Sequence, residues 1–416
     1  MGNVTKIAAA VLGLAMVLSA HAGEVEVLHY WTSGGEAKSA AELKKIMQAK
    51  GHTWRDFAVA GGGGDSAMTV LKSRVISGNP PSDAQVKGPA IQEWASEGVL
   101  ANVDALAKAE KWDEVLPKVV AEVMKYKGNY VAAPVNVHRV NWLWASADAL
   151  KKAGVAAMPK TWDEFFAAAD KLKAAGLVPV AHGGQNWQDF TTFESVVLGV
   201  GGAKFYQDAL VRLDDKALHS DTMKKSLETF RRIKGYTDAG APGRDWNLAT
   251  AMLIQGKAGF QLMGDWAKGE FIAAGKAPGK DFLCAAAPGS ANAFTFNVDS
   301  FILFKLKDAA AQKAQSDLAS AIMGPAFQEV FNLNKGSIPV RTGQPMDKFD
   351  DCAKLSSTDF AETARSGGLV PSVAHGMAIA PATEGAIKDV VSQFWNDDKV
   401  SVADAMKKIA AAAKTK

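Results

Sequence analysis

Between Glu24 and Glu97 the apolar period switches from two to 3.6 and back, and that alternation constrains the fold more than any other feature. Glu24-Val-Glu-Val-Leu-His-Tyr30 alternates up to Leu28 as a half-buried strand does. Thr32 to Gly35 break it, and Glu36 to Lys50 carry helical spacing. A second strand is predicted over Trp54–Val59, then Gly61–Gly64, then a helix over Ser66–Ser77. Asp83–Val86 is a third short strand, followed by a helix over Ala90–Glu97. Strand–helix–strand–helix–strand is the pattern of a parallel sheet with helices on its faces, an α/β fold.

The chain is too long for that unit alone. At 416 residues it has room for two lobes. Around Tyr130–Pro134 and Asn136–Ala145 strand-like runs follow one another with no helix between, which reads as the chain crossing into a second lobe. Thr161-Trp-Asp-Glu164 is a capping box that opens a helix ending near Gly176. Strands are predicted over Leu177–Ala181 and Ala258–Met263, and strand-like residues return near Ala291–Phe304. One long amphipathic helix is predicted from Asp308 to about Phe331. The expected division is 23–134 plus 292–335 for an N-terminal lobe and 135–291 plus 336–416 for a C-terminal lobe.

Residues 1–22 read as a cleavable signal peptide: Lys6, an apolar run from Ile7 to Leu18, then Ala20-His21-Ala22 as the peptidase site. The run is shorter than the ~20 residues a bilayer span needs, and no later stretch is long and apolar enough. A soluble periplasmic protein is expected. In that oxidising compartment Cys284 and Cys352, the two cysteines of the chain, are expected as one disulfide, with two buried thiols as the alternative. Their spacing suggests no metal site.

Charge excludes several partners. Forty-seven basic against 44 acidic residues leave +3, no electrostatic case for nucleic acid or an anionic membrane. Neither Gly-x-Ser-x-Gly nor His-Glu-x-x-His occurs, and Gly61 to Asp65 lacks the Lys-Ser/Thr of a phosphate loop. That glycine run reads instead as a tight turn whose backbone approaches a cleft. No cofactor is expected.

What remains is a set of aromatic and polar residues at strand ends, where open α/β sheets bind ligands. Tyr30, Trp31 and Glu36 follow the first strand, Lys87 the third, and Trp266 a later one. Asn297 and Asp299 are expected inside a strand, on one face by period two. Lys335 follows a helix, and His375 lies in a loop flanked by Pro and Gly. The set suits a sugar: indole rings pack on pyranose C–H faces, carboxylates accept from hydroxyls, Lys donates and Asn does both. Trp142, Trp144 and Trp162 read as core, and the other histidines carry no assigned role.

The succession of a signal peptide, Leu-His-Tyr-Trp-Thr-Ser-Gly-Gly-Glu (28–36), Pro-Lys-Thr-Trp-Asp-Glu-Phe (159–165) and Gln-Gly-Lys-Ala-Gly-Phe…Gly-Asp-Trp (255–266) resembles the extracellular sugar-binding proteins of ABC importers. The likeness covers essentially the whole mature chain. Tyr-Trp-Thr-Ser-Gly-Gly-Glu, Asn-Val-Asp-Ser (297–300) and Asn-Lys-Gly-Ser-Ile-Pro-Val-Arg (334–341) are similar to the glucose- and mannose-binding branch. The resemblance implies a two-lobed periplasmic-binding-protein fold with several chain crossings, closing on ligand in a central cleft. By similarity Trp31 and Glu36 match one wall, Lys87 its polar partner and Trp266 a second aromatic wall. Asn297, Asp299, Lys335 and His375 match hydroxyl-binding positions, and Tyr30 stands where some members carry Trp. Gln185-Asn186-Trp187 is a looser match to the cleft lining.

The expected function is a monomeric receptor that captures a monosaccharide, glucose first, by hinge closure and delivers it to an ABC permease. A chemoreceptor is a further candidate partner. A disaccharide or oligosaccharide ligand is the alternative within the class. A secreted glycoside hydrolase with Glu36 and Asp299 as its carboxylates is the alternative outside it.

Overall fold

The computed structural model describes residues 22–415, so the expected signal peptide falls outside them apart from Ala22. The strands, numbered along the chain, form three sheets and a hairpin among the described residues. The first sheet runs β2 (Thr53–Ala58), β1 (Glu24–His29), β3 (Asp83–Gln85), β13 (Ser300–Leu303), β6 (Ala132–Pro134). β1 is parallel to β2 and β3, as strand–helix–strand alternation requires, and β13 returns antiparallel between β3 and β6. The second sheet runs β11 (Phe282–Ala286), β8 (Trp142–Ser146), β10 (Ala258–Leu262), β9 (Val178–Val180). The hairpin is β4 (Lys125–Tyr126) with β5 (Asn129–Tyr130).

The third sheet is made of the crossing strands. It runs β14 (Ile338–Pro339), β7 (Asn136–Arg139), β12 (Phe294–Asn297), β15 (Leu369–Pro371). A single residue, Val135, joins β6 to β7, and two join β7 to β8, so the chain leaves the first sheet, pairs in the third and enters the second. β12 and β13 make the return passage. The consecutive strand-like runs of the sequence are therefore the connection between two α/β lobes.

Each lobe closes its own apolar core. Val25, Val27, Leu28, Leu43, Met47, Phe301, Phe327 and Phe331 belong to the first. Leu143, Phe165, Phe190, Phe193, Phe230, Phe260 and Phe394 belong to the second. A smaller cluster of Trp142, Trp144, Phe271 and Phe282 also holds Trp187 and Trp266. Trp144 satisfies its N–H on the Met263 carbonyl at 2.8 Å, the core role expected of it. The capping box forms: Thr161 Oγ1 accepts from Glu164 N–H at 3.2 Å, and Glu164 Oε2 accepts from Thr161 N–H at 3.3 Å. Cys284 on β11 and Cys352 on the helix Asp351–Ser366 form a disulfide with Cα atoms 6.2 Å apart. Among the described residues no helix is long and apolar enough to cross a membrane.

Two expectations are corrected. The helix predicted over Asp308–Phe331 is two helices, Ala309–Met323 and Pro325–Lys335. Gly324 between them is extended, and Pro325, which lacks an N–H, takes the first helical position where none is needed. Asn297 and Asp299 do not share one strand either. β12 ends at Asn297 and β13 begins at Ser300, so Asp299 lies in the link between two sheets.

Candidate functional site

A cavity of about 320 Å³ opens where the carboxyl ends of β1, β3 and β10 meet the crossing strands. All nine residues singled out from sequence line it: Tyr30, Trp31, Glu36, Lys87, Trp266, Asn297, Asp299, Lys335 and His375. Gln185 and Trp187 line it too. The glycine turn forms part of its wall. Gly63 has φ +61, and a Cβ there would lie 3.0 Å from the Trp187 ring. Gly64 has φ +114, with the Tyr30 ring 3.0 Å from its would-be Cβ, so both backbone conformation and space call for glycine.

The charged side chains of the cavity are largely satisfied by one another. Glu36 stands in the first turn of the helix Gly34–Ala49, where its Oε2 accepts weakly from Ser33 N–H at 3.4 Å. Its Oε1 pairs with Lys335 Nζ at 2.5 Å, both side chains nearly buried. Asp299 Oδ2 pairs with His138 Nε2 at 2.9 Å, and Oδ1 accepts from Gln85 Nε2 at 3.2 Å. His138 Nδ1 pairs with Asp265, so one imidazole bridges two carboxylates. Burial would lower the His138 pKa, but Asp265 and Asp299 outweigh it and hold it above that of a free imidazole. Burial would likewise raise the Asp299 carboxyl, yet His138, Lys335 and Lys87 hold it well below the usual carboxylate range.

Other groups are left free. Lys87 Nζ lies 5.5 Å from the centroid of the Tyr30 ring and has no hydrogen-bond partner among the described residues. Burial lowers its pKa, Asp299 and Glu384 opposing. Trp31 is packed edge-on against Phe301 at 5.4 Å and tilted on Phe331 at 5.0 Å. Its Nε1, with Ser33 Oγ and Asn297 Oδ1, is buried with no hydrogen-bond partner among the described residues. Trp266 lies between two imidazoles, centroids 5.2 Å from His138 and 4.8 Å from His375. Burial first, then Lys87 and Lys388, push the His375 pKa well below its ordinary value, so that ring is neutral.

Sequence reasoning missed His138, Ser33, Asp245, Trp246 and Asn247, all of which line the cavity. His138 had a readable signal: Asn136 and His138 alternate as polar residues with Val135 and Val137. Its register partner on β12 is Asn297, a pairing that only the fold supplies. A second chamber of about 250 Å³ adjoins the first, sharing Tyr30, Lys87, Trp187 and His375.

Residues 34–328 match the family of bacterial extracellular solute-binding proteins, and the chain belongs to that family. It is 48% identical over 409 residues to a protein of Brucella suis biovar 1 (strain 1330) named "Probable sugar-binding periplasmic protein", covering 98% of this chain and 96% of the relative. It is 49% identical over 394 residues to a protein of the same name from Rhizobium meliloti (strain 1021), covering 95% and 94%. A solved structure of a chitin oligosaccharide binding protein superposes with a TM-score of 0.79 over 94% of this chain and 98% of that one, at 18% identity. That likeness establishes the two-lobed fold. The family is one of solute-binding proteins, and the chain is placed there and not among glycoside hydrolases.

Proposed function

We propose that the cavity binds a neutral monosaccharide, glucose first, and that the protein is the periplasmic receptor of a sugar ABC importer. The observation that carries this reading is how the polar groups divide. Glu36 offsets Lys335, and the negative charge left over where the His138 imidazolium meets both Asp265 and Asp299 is offset by the Lys87 ammonium acting on Asp299, so the cavity does not call for a charged ligand. The Trp31 N–H, Ser33 hydroxyl and Asn297 carbonyl are buried and unpaired, a state proteins rarely leave uncompensated. Sugar hydroxyls, each donor and acceptor, answer that need, while Trp266 and Trp187 offer apolar ring area. A cavity of about 320 Å³ sits at the small end of the roughly 300–1,000 Å³ range of ligand pockets, which favours one sugar ring.

The lobes on this reading are 23–134 plus 292–335 and 135–291 plus 336–416, with the third sheet as the hinge. Closure brings both walls onto the ligand, and the closed form is what a permease recognises. The signal-peptide pattern and the relatives' printed name support a periplasmic location. The adjoining chamber of about 250 Å³ supports a second reading, a disaccharide spanning both spaces. Calorimetry with glucose, mannose, galactose and maltose separates the two. Glucose binding of one-to-one stoichiometry, weakened about five- to tenfold in Asn297→Ala, supports the first. Binding of maltose alone supports the second, and no heat with any sugar defeats both.

A further inference from the structure

The helix Asn186–Tyr206 turns one stripe of side chains toward the loop that carries His375. Trp187, Thr191 and Glu194 stand at i, i+4 and i+7, positions that stack along one helix face. The Trp187 ring meets the His375 imidazole near edge-on, with centroids 5.7 Å apart. Thr191 Oγ1 lies 2.9 Å from His375 Nε2. The single hydroxyl proton of Thr191 is given to the Trp187 carbonyl at 2.8 Å. The Thr191 oxygen is then the acceptor, Nε2 carries the imidazole proton, and Nδ1 is left as a bare acceptor on a ring that lines the cavity.

Glu194 is the third member of the stripe, and nothing in the cavity chemistry uses it. It is fully buried and no cation lies within ion-pair distance among the described residues. A buried carboxyl without a counter-ion is costly and needs a compensating set of donors. Here the set comes from the loop. Ser372 Oγ donates to Oε1 at 2.6 Å, and the Val373 and Ala374 N–H groups donate to Oε2 at 2.9 and 3.1 Å. Tyr206 Oη donates to Oε2 at 2.7 Å and accepts from Val373 N–H at 3.1 Å. Ser372 Oγ in turn accepts from His375 N–H at 3.2 Å. Burial pushes the Glu194 carboxyl up to about 7 against the pull of Ser372 and Tyr206.

We propose that Glu194 is a positioning residue: it holds the 372–375 loop on the helix so that His375 keeps one tautomer and presents Nδ1 as an acceptor for a ligand hydroxyl. The proposal rests on the sugar-binding reading for its consequence, though not for its structural half. It assigns to a residue outside the cavity the orientation of one inside it. The helix stripe serves as the template, and the loop takes its shape from it.

The test uses the mature protein with Glu194→Gln, which keeps the side-chain shape but places an NH₂ where one of the accepting oxygens stood. Hydrogen exchange of the Val373 and Ala374 amides is measured without ligand, together with the ¹⁵N shifts of the His375 ring. The expected result is faster exchange at those two amides, while amides of β1 and β10 are unchanged. The ring shifts should move from a single Nε2–H tautomer toward a mixture. Glucose affinity should fall about tenfold, the loss expected when one oriented acceptor is displaced. Tyr206→Phe removes one donor to Glu194 and one acceptor for Val373, and should move the same readouts in the same direction by less. It decides the matter if Glu194→Gln does not fold. Unchanged loop exchange and an unchanged tautomer in whichever variant folds overturn the proposal, as does faster exchange with undiminished affinity. If the wild-type protein binds no sugar, the sugar reading fails, and loop exchange and ring shifts still decide whether Glu194 sets the loop.

Discussion

Asp83 allows the electrostatics of the first lobe to be tested away from the cavity. It sits in β3 between β1 and β13, 1% exposed, with both carboxylate oxygens unpartnered among the described residues. Burial raises its pKa well above the ordinary value. The folded state therefore binds this proton more tightly than the unfolded chain does. Stability from this group is fully present below the unfolded pKa of about 3.9 and is lost as pH rises, until the folded pKa is passed. The slope within that window is about 1.4 kcal/mol per pH unit. Asp83→Asn keeps the shape and removes the titration. Relative to wild type it should gain stability as pH rises above about 4, with a limiting slope of about 1.4 kcal/mol per pH unit until the folded-state pKa is passed. Every other titrating group is common to both proteins, so the difference isolates this carboxyl. Urea denaturation followed by Trp emission at half-unit steps from pH 4.5 to 7.5 measures it. Parallel stability curves would refute the reasoning, because they would mean that Asp83 ionises in the fold as freely as in the unfolded chain.

Three further perturbations address the site and its frame. Asn297→Ala removes a buried, unpaired carbonyl and should weaken sugar binding five- to tenfold, roughly one hydrogen bond, with little change in melting temperature. Calorimetry checks it, and unaltered affinity would remove Asn297 from the site. Gly88 has φ +51, and a Cβ there would lie 2.0 Å from the Gly376 carbonyl oxygen. Gly88→Ala should therefore hold the Lys87 and His375 segments apart and lower affinity by about tenfold or more. Small-angle scattering should then show no compaction with ligand. Replacing Cys284 and Cys352 by Ser opens a loop whose ends are 68 positions apart and should cost up to about 4 kcal/mol of stability. A thiol assay of the denatured, unreduced wild-type protein should read zero.

How much of this was legible in the sequence depended on whether a position declared itself locally. Tyr30, Lys87 and Trp266 each follow a strand whose period is plain. Placing Tyr30 and Lys87 at one end of the first sheet needs only the rule that parallel strands share a direction, whereas Trp266 follows a strand of the second sheet. The same logic carried β6, β7 and β8, because three strand-like runs with no helix between them have few ways to fold other than as a crossing. The helix over 308–331 was misread because amphipathic spacing continues through Gly324 and Pro325. Periodicity alone does not see a break that preserves the phase.

Pairing is where local patterns give out. Composition counts 47 basic and 44 acidic residues, but it cannot say that Glu36 meets Lys335 or that His138 stands between Asp265 and Asp299. Those partners lie 299, 127 and 161 positions apart in the chain. Their meeting decides the chemistry of the cavity. Unpaired, the same carboxylates and ammonium groups would make a site for ions. Paired, they become rigid hydrogen-bonding walls whose remaining valences suit hydroxyls. Trp31 shows the same dependence. Its position marked it as a ring to stack on a sugar, but Phe301 and Phe331 already pack against that ring. What Trp31 has to spare is its N–H, so Trp31→Phe should cost the cavity one donor while leaving its apolar lining almost intact.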